Sequence, residues 1–283
     1  MKTLTKFFAM AAIAVFALAA CQKGDCGCED DGTLKYGGVT YRIKTFSNGA
    51  TWMVDNLCYV PEGKTVSSNP ADSSGLWYPY VIENAAAKVL TDAASVQKYG
   101  LLYDYATIFG VEEVTEANFK TFEGVQGICP AGWHIPTRAD YLALCGITTK
   151  ADGETTAPVV ETAEFYDSVN QGGSLKIAQE KGFNFVPAGY VSVTTPANKK
   201  KGSYLVAAIK DTANEVDATW TGAPSMTYYM ASTPYKVNST SGNIQFFGMM
   251  TTFTTATKSY GKLSLAYSNY LSGMSLRCVK NAN

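Results

Sequence analysis

The chain has 283 residues, with 23 Lys and Arg against 24 Asp and Glu and a formal net charge of −1. A balance this close to neutral argues against a nucleic-acid partner, which calls for a basic stripe. The 25 glycines, 18 tyrosines and many serines and threonines point to a β-rich, turn-rich exported protein.

The first segment is not fold. Lys2 and Lys6 precede an unbroken apolar run, FFAMAAIAVFALAA, over residues 7–20. That run is shorter than the roughly 20 residues a helix needs to cross a bilayer, and it ends in small residues, so residues 1–20 are expected to be a secretory signal. Leu18-Ala19-Ala20-Cys21 is similar to a bacterial lipobox, which implies cleavage before Cys21 and its lipidation. The alternative is an ordinary cleaved signal with an incidental cysteine. Removing residues 1–20 takes away two lysines and no acid, moving the formal charge from −1 to −3. The lipid reading makes the membrane a partner through an anchor, not a span. The 263 residues left can bury a large core in one domain, or at most two.

Residues 21–35 read as a lipidated, flexible tether, polar, glycine-containing and acidic. Glu29-Asp30-Asp31 resembles the acidic tract that sends some Bacteroidota lipoproteins to the cell exterior, so an outer-membrane, surface-exposed location is expected. Cys26 and Cys28 are too close for an easy mutual bridge. Two thiols alone do not complete a zinc shell, and no metal site is expected.

A domain is expected over residues 36–283. Val39, Tyr41, Ile43 and Thr45 alternate with Thr40, Arg42 and Lys44, the pattern of a half-buried strand. Ser47-Asn48-Gly49 suits a tight turn, and ATWMVDNL supplies the return strand. Residues 61–83 read as a long loop and 85–98 as helix. Leu102, Tyr105, Ala106 and Phe109 follow helical spacing, with Gly110 placed to end the helix. Phe119 and Phe122 allow a short helical turn. In GICPAGWHIPTRADYLALC, residues 127–145, Gly127, Pro130 and Gly132 predict a tight turn. Thr137 and Asp140 then stand as N-cap and N3 of a helix whose buried side holds Tyr141, Leu142, Leu144 and Cys145. Residues 148–163 read as loop. Strands are expected at 183–193, 203–210, 227–233, 244–254, 262–268 and 274–280. The fold class is α+β, with short helices and antiparallel strands.

ICPAGWHIPTRADYLAL resembles the Cys-Pro-x-Gly-Trp-His-Leu-Pro-Thr signature of the Fibrobacter succinogenes major paralogous domain family. VTYRIKTFSNGATWMVDNL, YGLLYDYATI, FVPAGY, YYMAST and MSLRCVKN resemble further blocks of that family in the same order. YYMAST departs most, with Tyr229 where the family often has tryptophan. The resemblance spans about residues 36–281. It implies a fold similar to C-type lectins and formylglycine-generating enzymes in a surface or secreted bacterial protein, and it implies no particular activity. Cys129 and Cys278 match the family's two cysteines, which implies a disulfide; the alternative is two separately buried thiols. Cys58 with Cys145 is a second, less supported pairing.

Chemistry is hard to place. His134 is the only imidazole and is expected to be structural. No Gly-x-Ser-x-Gly elbow and no phosphate loop occur. A copper oxidase of the formylglycine-generating type needs a close cysteine pair near the C-terminus, where only Cys278 stands. Asp104, Asp140, Asp211 and Asp217 offer carboxylates, but nothing singles out a glycosidase pair. Lectin-type calcium strings are absent, with Pro196-Ala197-Asn198 only a distant echo. Trp77, Tyr78 and Tyr80 in GLWYPY and Trp220 in DATWTGAP are the candidate binding residues, because loop aromatics stack on sugars or anchor interfaces. The reading is a non-enzymatic, lipid-anchored surface protein that binds or adheres to a glycan or protein, without a cofactor. The alternatives are a carbohydrate-active or protein-modifying enzyme, or an envelope structural protein without a soluble ligand.

Overall fold

A computed structural model describes residues 28–29, 32–83, 86–145, 163–168, 172–183, 185–186, 188–193, 203–204, 225–253 and 262–282. Cys21, Cys26, Pro196-Ala197-Asn198, Asp211, Asp217 and Trp220 lie outside these residues. The strands of the first half are β1 (Cys28–Glu29), β2 (Thr33–Tyr36), β3 (Val39–Thr45), β4 (Thr51–Met53), β5 (Leu76–Trp77), β6 (Tyr80–Glu83), β7 (Ala86–Val89), β8 (Leu102–Tyr103) and β9 (Trp133–His134). Those of the second half are β10 (Tyr166–Asp167), β11 (Gly172–Ser174), β12 (Val191–Ser192), β13 (Ser203–Tyr204), β14 (Ser225–Val237), β15 (Ile244–Phe253), β16 (Lys262–Asn269) and β17 (Val279–Lys280). The α-helices are short: α1 (Ala93–Tyr99), α2 (Tyr105–Phe109), α3 (Arg138–Cys145) and α4 (Leu175–Glu180), with a 3-10 turn at Phe119–Thr121. The chain is α+β, dominated by antiparallel sheet.

Local chemistry explains the first hairpins. Tyr41 is buried in β3 between exposed Thr40 and Arg42, as alternation requires. The β3–β4 turn closes through the Phe46 N–H, which donates to the Ala50 carbonyl at 3.0 Å, and Gly49 takes φ +83°. Glu164 pins that turn: it accepts from the Ser47 hydroxyl and the Asn48 N–H, and pairs with Lys181 at 2.9 Å.

The last strand closes the first sheet, whose order is β1-β2-β3-β4-β17-β9. Val279 pairs with Trp52 on one side and His134 on the other. Beside this junction Cys129 and Cys278 form a disulfide across 149 positions of sequence, with their Cα atoms 5.9 Å apart. The second sheet runs β10-β11-β16-β15-β14 and is built on a meander of long strands. Its two faces serve different cores. Ile244 and Phe246 of β15 enter the first core, with Tyr105, Met274 and Leu276. Phe247 and Met249 enter the second, with Trp52, Tyr141, Phe165 and Phe183. Burial on both faces explains the apolar run FFGMM, which shows no polar alternation.

Several expectations are corrected. Residues 85–98 do not form one helix: Ala86–Val89 pairs with β6, and the helix starts only where the Asp92 carboxylate accepts from the Ser95 N–H. The 61–83 segment contains β5 and β6. Among the described residues of 183–193 only Val191–Ser192 is a strand, and the preceding helix α4, capped by Ser174, adds an element beyond the sequence reading. Within 274–280, β17 spans two residues, and Met274 and Ser275 form isolated bridges. Of 203–210, only Ser203–Tyr204 lies among the described residues, as β13. Cys58 and Cys145 are buried free thiols. They do not pair with each other: Cys58 packs in the first core and Cys145 in the second.

Candidate functional site

The aromatic loop does not present its rings to solvent. Leu76 and Trp77 pair with β8, leaving Trp77 2% exposed. The Trp77 ring packs so closely on Gly273 that a Cβ there would come within 2.7 Å of it. Tyr80 is 1% exposed, its hydroxyl donating to the Tyr190 carbonyl at 3.1 Å. Tyr78 is half-buried against the first core. Trp77 and Tyr80 are therefore corrected from stacking surfaces to core residues: strand pairing turns one ring inward, and a backbone acceptor fixes the other.

The same loop instead helps to build a cleft of about 140 Å³. Ser73, Gly75 and Trp77 line one side, Asp104 and Ala106 another, and residues 112–114 with Tyr270 and Leu271 complete it, Glu112 and Glu113 among them. Gly75, at φ +72°, lets the loop lie against α2: a Cβ there would fall 2.8 Å from both Asp104 carboxylate oxygens. Asp104 serves the backbone as the α2 N-cap, accepting from the Thr107 N–H at 2.8 Å. The cleft is thus acidic, with an indole in its wall. Its volume is below the roughly 300 Å³ of pockets that enclose drug-sized ligands, so it suits a single ring or a side chain. Among the described residues no three His, Cys, Asp or Glu side chains come together as a metal-holding set.

The His134 region forms a separate network. Asp140 Oδ2 accepts from the Thr137 N–H at 2.7 Å and the Thr137 hydroxyl at 2.6 Å, while the Asp140 N–H returns to Thr137 Oγ1 at 3.2 Å. This is a reciprocal capping box with aspartate at N3. His134 Nε2 lies 3.3 Å from the same carboxylate, and Nδ1 lies 2.7 Å from Asn281 Oδ1. Desolvation raises the Asp140 pKa, but the bonds to His134 and Thr137 outweigh it and hold the carboxyl below its ordinary value. The bond to Asp140 raises the His134 pKa against desolvation. The arrangement orders the start of α3 and ties it to the C-terminal strand.

Arg277, in the closing block of the sequence, is fully buried. Its guanidinium donates to Asn56 Oδ1 at 2.8 Å and to the Phe183 carbonyl, and it lies over the rings of Phe183, Phe185 and Tyr229. Tyr229 is the residue that departs from the family's tryptophan. Its hydroxyl donates to the Val186 carbonyl at 2.9 Å and accepts from the Val186 N–H at 3.0 Å.

Sequence reasoning named Trp77 as an exposed stacking residue, not as part of a cleft wall, and missed Glu112, Glu113 and Tyr270. The two glutamates follow the Gly110 helix stop, a weak local signal, whereas Tyr270 is more than 150 positions away in sequence and reaches the cleft only through the fold. No curated protein and no solved structure matches the chain. The model of the Fibrobacter succinogenes major domain matches residues 47–280, most of the chain, and the protein belongs to that family.

Proposed function

We propose that this protein is a lipid-anchored, surface-exposed binding module of the outer membrane, with a C-type-lectin-like domain that engages a glycan or protein without catalysing a reaction. The acidic cleft between the 73–77 loop, α2 and residues 270–271 carries this reading. It is a concave site with polar and aromatic walls, held on a frame closed by the last strand, which enters between β4 and β9, and by one disulfide. That closure also supports the C-type-lectin-like reading. The lipobox-like Leu18-Ala19-Ala20-Cys21 and the acidic tether support anchorage and exposure.

The test uses the full chain in detergent on a panel of glycans and matrix proteins. Binding that falls at least about tenfold in the Glu112→Gln/Glu113→Gln double variant is expected, since hydrogen bonds to charged groups contribute at about this level. Binding unchanged by that variant removes the cleft from the proposal, and silence across the panel favours an envelope structural role. Cys21→Ala should release the protein from the membrane fraction, and protease on intact cells should digest the wild-type domain.

A further inference from the structure

A second surface differs from the cleft in both charge and shape. Tyr267 of β16 is 45% exposed, one of only two large apolar side chains so exposed among the described residues. Tyr235 of β14 stacks on it, with ring centroids 4.6 Å apart and planes at 24°. Tyr235 also lies 5.0 Å from Phe247 of β15, the cross-strand partner of Tyr267. The register of β14 on β15 shifts between Pro234 and Lys236, so Tyr235 is released from strict pairing and can lean across the middle strand. Three adjacent strands thus contribute one aromatic cluster at the edge of the second core, with Tyr267 its most exposed ring.

A cation sits on its edge. The Arg138 guanidinium lies 5.2 Å from the Phe247 ring centroid. Arg138 opens α3, and its backbone N–H donates to Thr233 Oγ1 at 2.8 Å. Its buried Nε has no hydrogen-bond partner, and among the described residues no carboxylate forms an ion pair with it. Glu123 approaches this corner, but its carboxylate accepts from the Thr233 hydroxyl at 2.7 Å. Lys236 Nζ adds a second positive group 4.7 Å from the Tyr235 ring. A guanidinium is a planar fork of donors that matches a carboxylate bidentately, which a lysine ammonium cannot do.

We propose that Arg138, Tyr235, Phe247 and Tyr267 form a binding site for an acidic saccharide. The apolar face of a pyranose ring lies on the exposed Tyr267 ring, which Tyr235 backs, and its carboxylate accepts from Arg138. A neutral sugar would leave the guanidinium unmatched, and a small anion would leave the rings unused. The site is independent of the acidic cleft, where a uronate would meet Asp104, Glu112 and Glu113.

The test titrates the full chain in detergent with an oligogalacturonate, its methyl ester and acetate. The uronate should bind, and both esterification and Arg138→Gln should weaken it by about tenfold or more, as loss of a bidentate charged contact predicts. Arg138→Lys should recover only part of the affinity, because it keeps the charge without the fork. Tyr267→Ala should abolish binding while lowering the thermal midpoint only by the small amount that one lost ring contact on a half-exposed residue predicts. Glu112→Gln/Glu113→Gln should leave uronate binding intact. Equal binding of the ester, an Arg138→Gln variant of wild-type affinity, or acetate binding as tightly as the oligosaccharide would each overturn the site. So would no uronate binding. Loss in the cleft variant but not in Arg138→Gln would move recognition to the cleft, leaving the proposed function standing and this inference refuted.

Discussion

His134 Nε2 and Asp140 Oδ2 stand 3.3 Å apart, linking the sixth strand of the first sheet to the first turn of α3. Because the His134 pKa is raised above its ordinary 6.5, its contribution is complete below that value and fades as pH rises through the folded value. Because the Asp140 pKa is lowered from 3.8, its contribution is complete above that value and is lost as pH falls through the folded one. The pair therefore stabilises most between these ordinary values. Wild type should exceed His134→Gln by on the order of 1 kcal/mol near pH 5, and the gap should narrow as pH rises above 6.5 through the raised folded-state value. Urea melts at several pH values measure it, and a gap independent of pH would refute the linkage.

Thr137→Ala should cost about 1 kcal/mol, because the Asp140 N–H loses its acceptor at the start of α3. Thr137→Ser should recover most of that loss. Urea midpoints distinguish the two, and equal loss in both variants would mean that the methyl group, not the hydroxyl, matters.

Reducing the Cys129–Cys278 bond frees a loop with a sequence separation of 149. Chain entropy sets an upper estimate of about 5 kcal/mol for its contribution. The Cys129→Ala/Cys278→Ala double variant should show a clear drop in urea midpoint, and the oxidised wild type should lose the same amount on adding reductant. A wild-type midpoint insensitive to reductant under denaturing conditions would contradict the bond.

Arg277→Met should destabilise by roughly 3–5 kcal/mol. It leaves Asn56 Oδ1 and the Phe183 carbonyl without their buried donor, each at about 1–3 kcal/mol, and removes the cation from three rings. A loss below about 1 kcal/mol would show that the aromatic cage repacks around methionine.

Gly127→Ala tests the turn before the disulfide. Gly127 has φ +51°, and a Cβ there would come 2.1 Å from the Ile108 carbonyl oxygen and 2.5 Å from Ile135 Cδ1. Both the conformation and the contact oppose a side chain, so a loss of roughly 2 kcal/mol or more is expected in urea melts. A midpoint within experimental error of wild type would mean that the turn shifts freely.

The amino-acid sequence by itself determined the local features: the alternating β3, the Asn48-Gly49 turn, the Thr137–Asp140 cap and, through its ordered blocks, the family. These depend on neighbours a few positions apart, where periodicity and hydrogen-bonding side chains act directly. The tertiary structure alone decided that β17 enters between β4 and β9, that Trp77 and Tyr80 turn inward, and that a charged Arg277 is buried among rings. It also brought Glu112 and Glu113 to Tyr270, and Arg138 to Tyr235, Phe247 and Tyr267. Strand pairing and burial depend on partners tens to hundreds of positions away. An aromatic residue in a glycine-rich loop has the same local sequence whether its ring meets solvent or a backbone carbonyl across the fold.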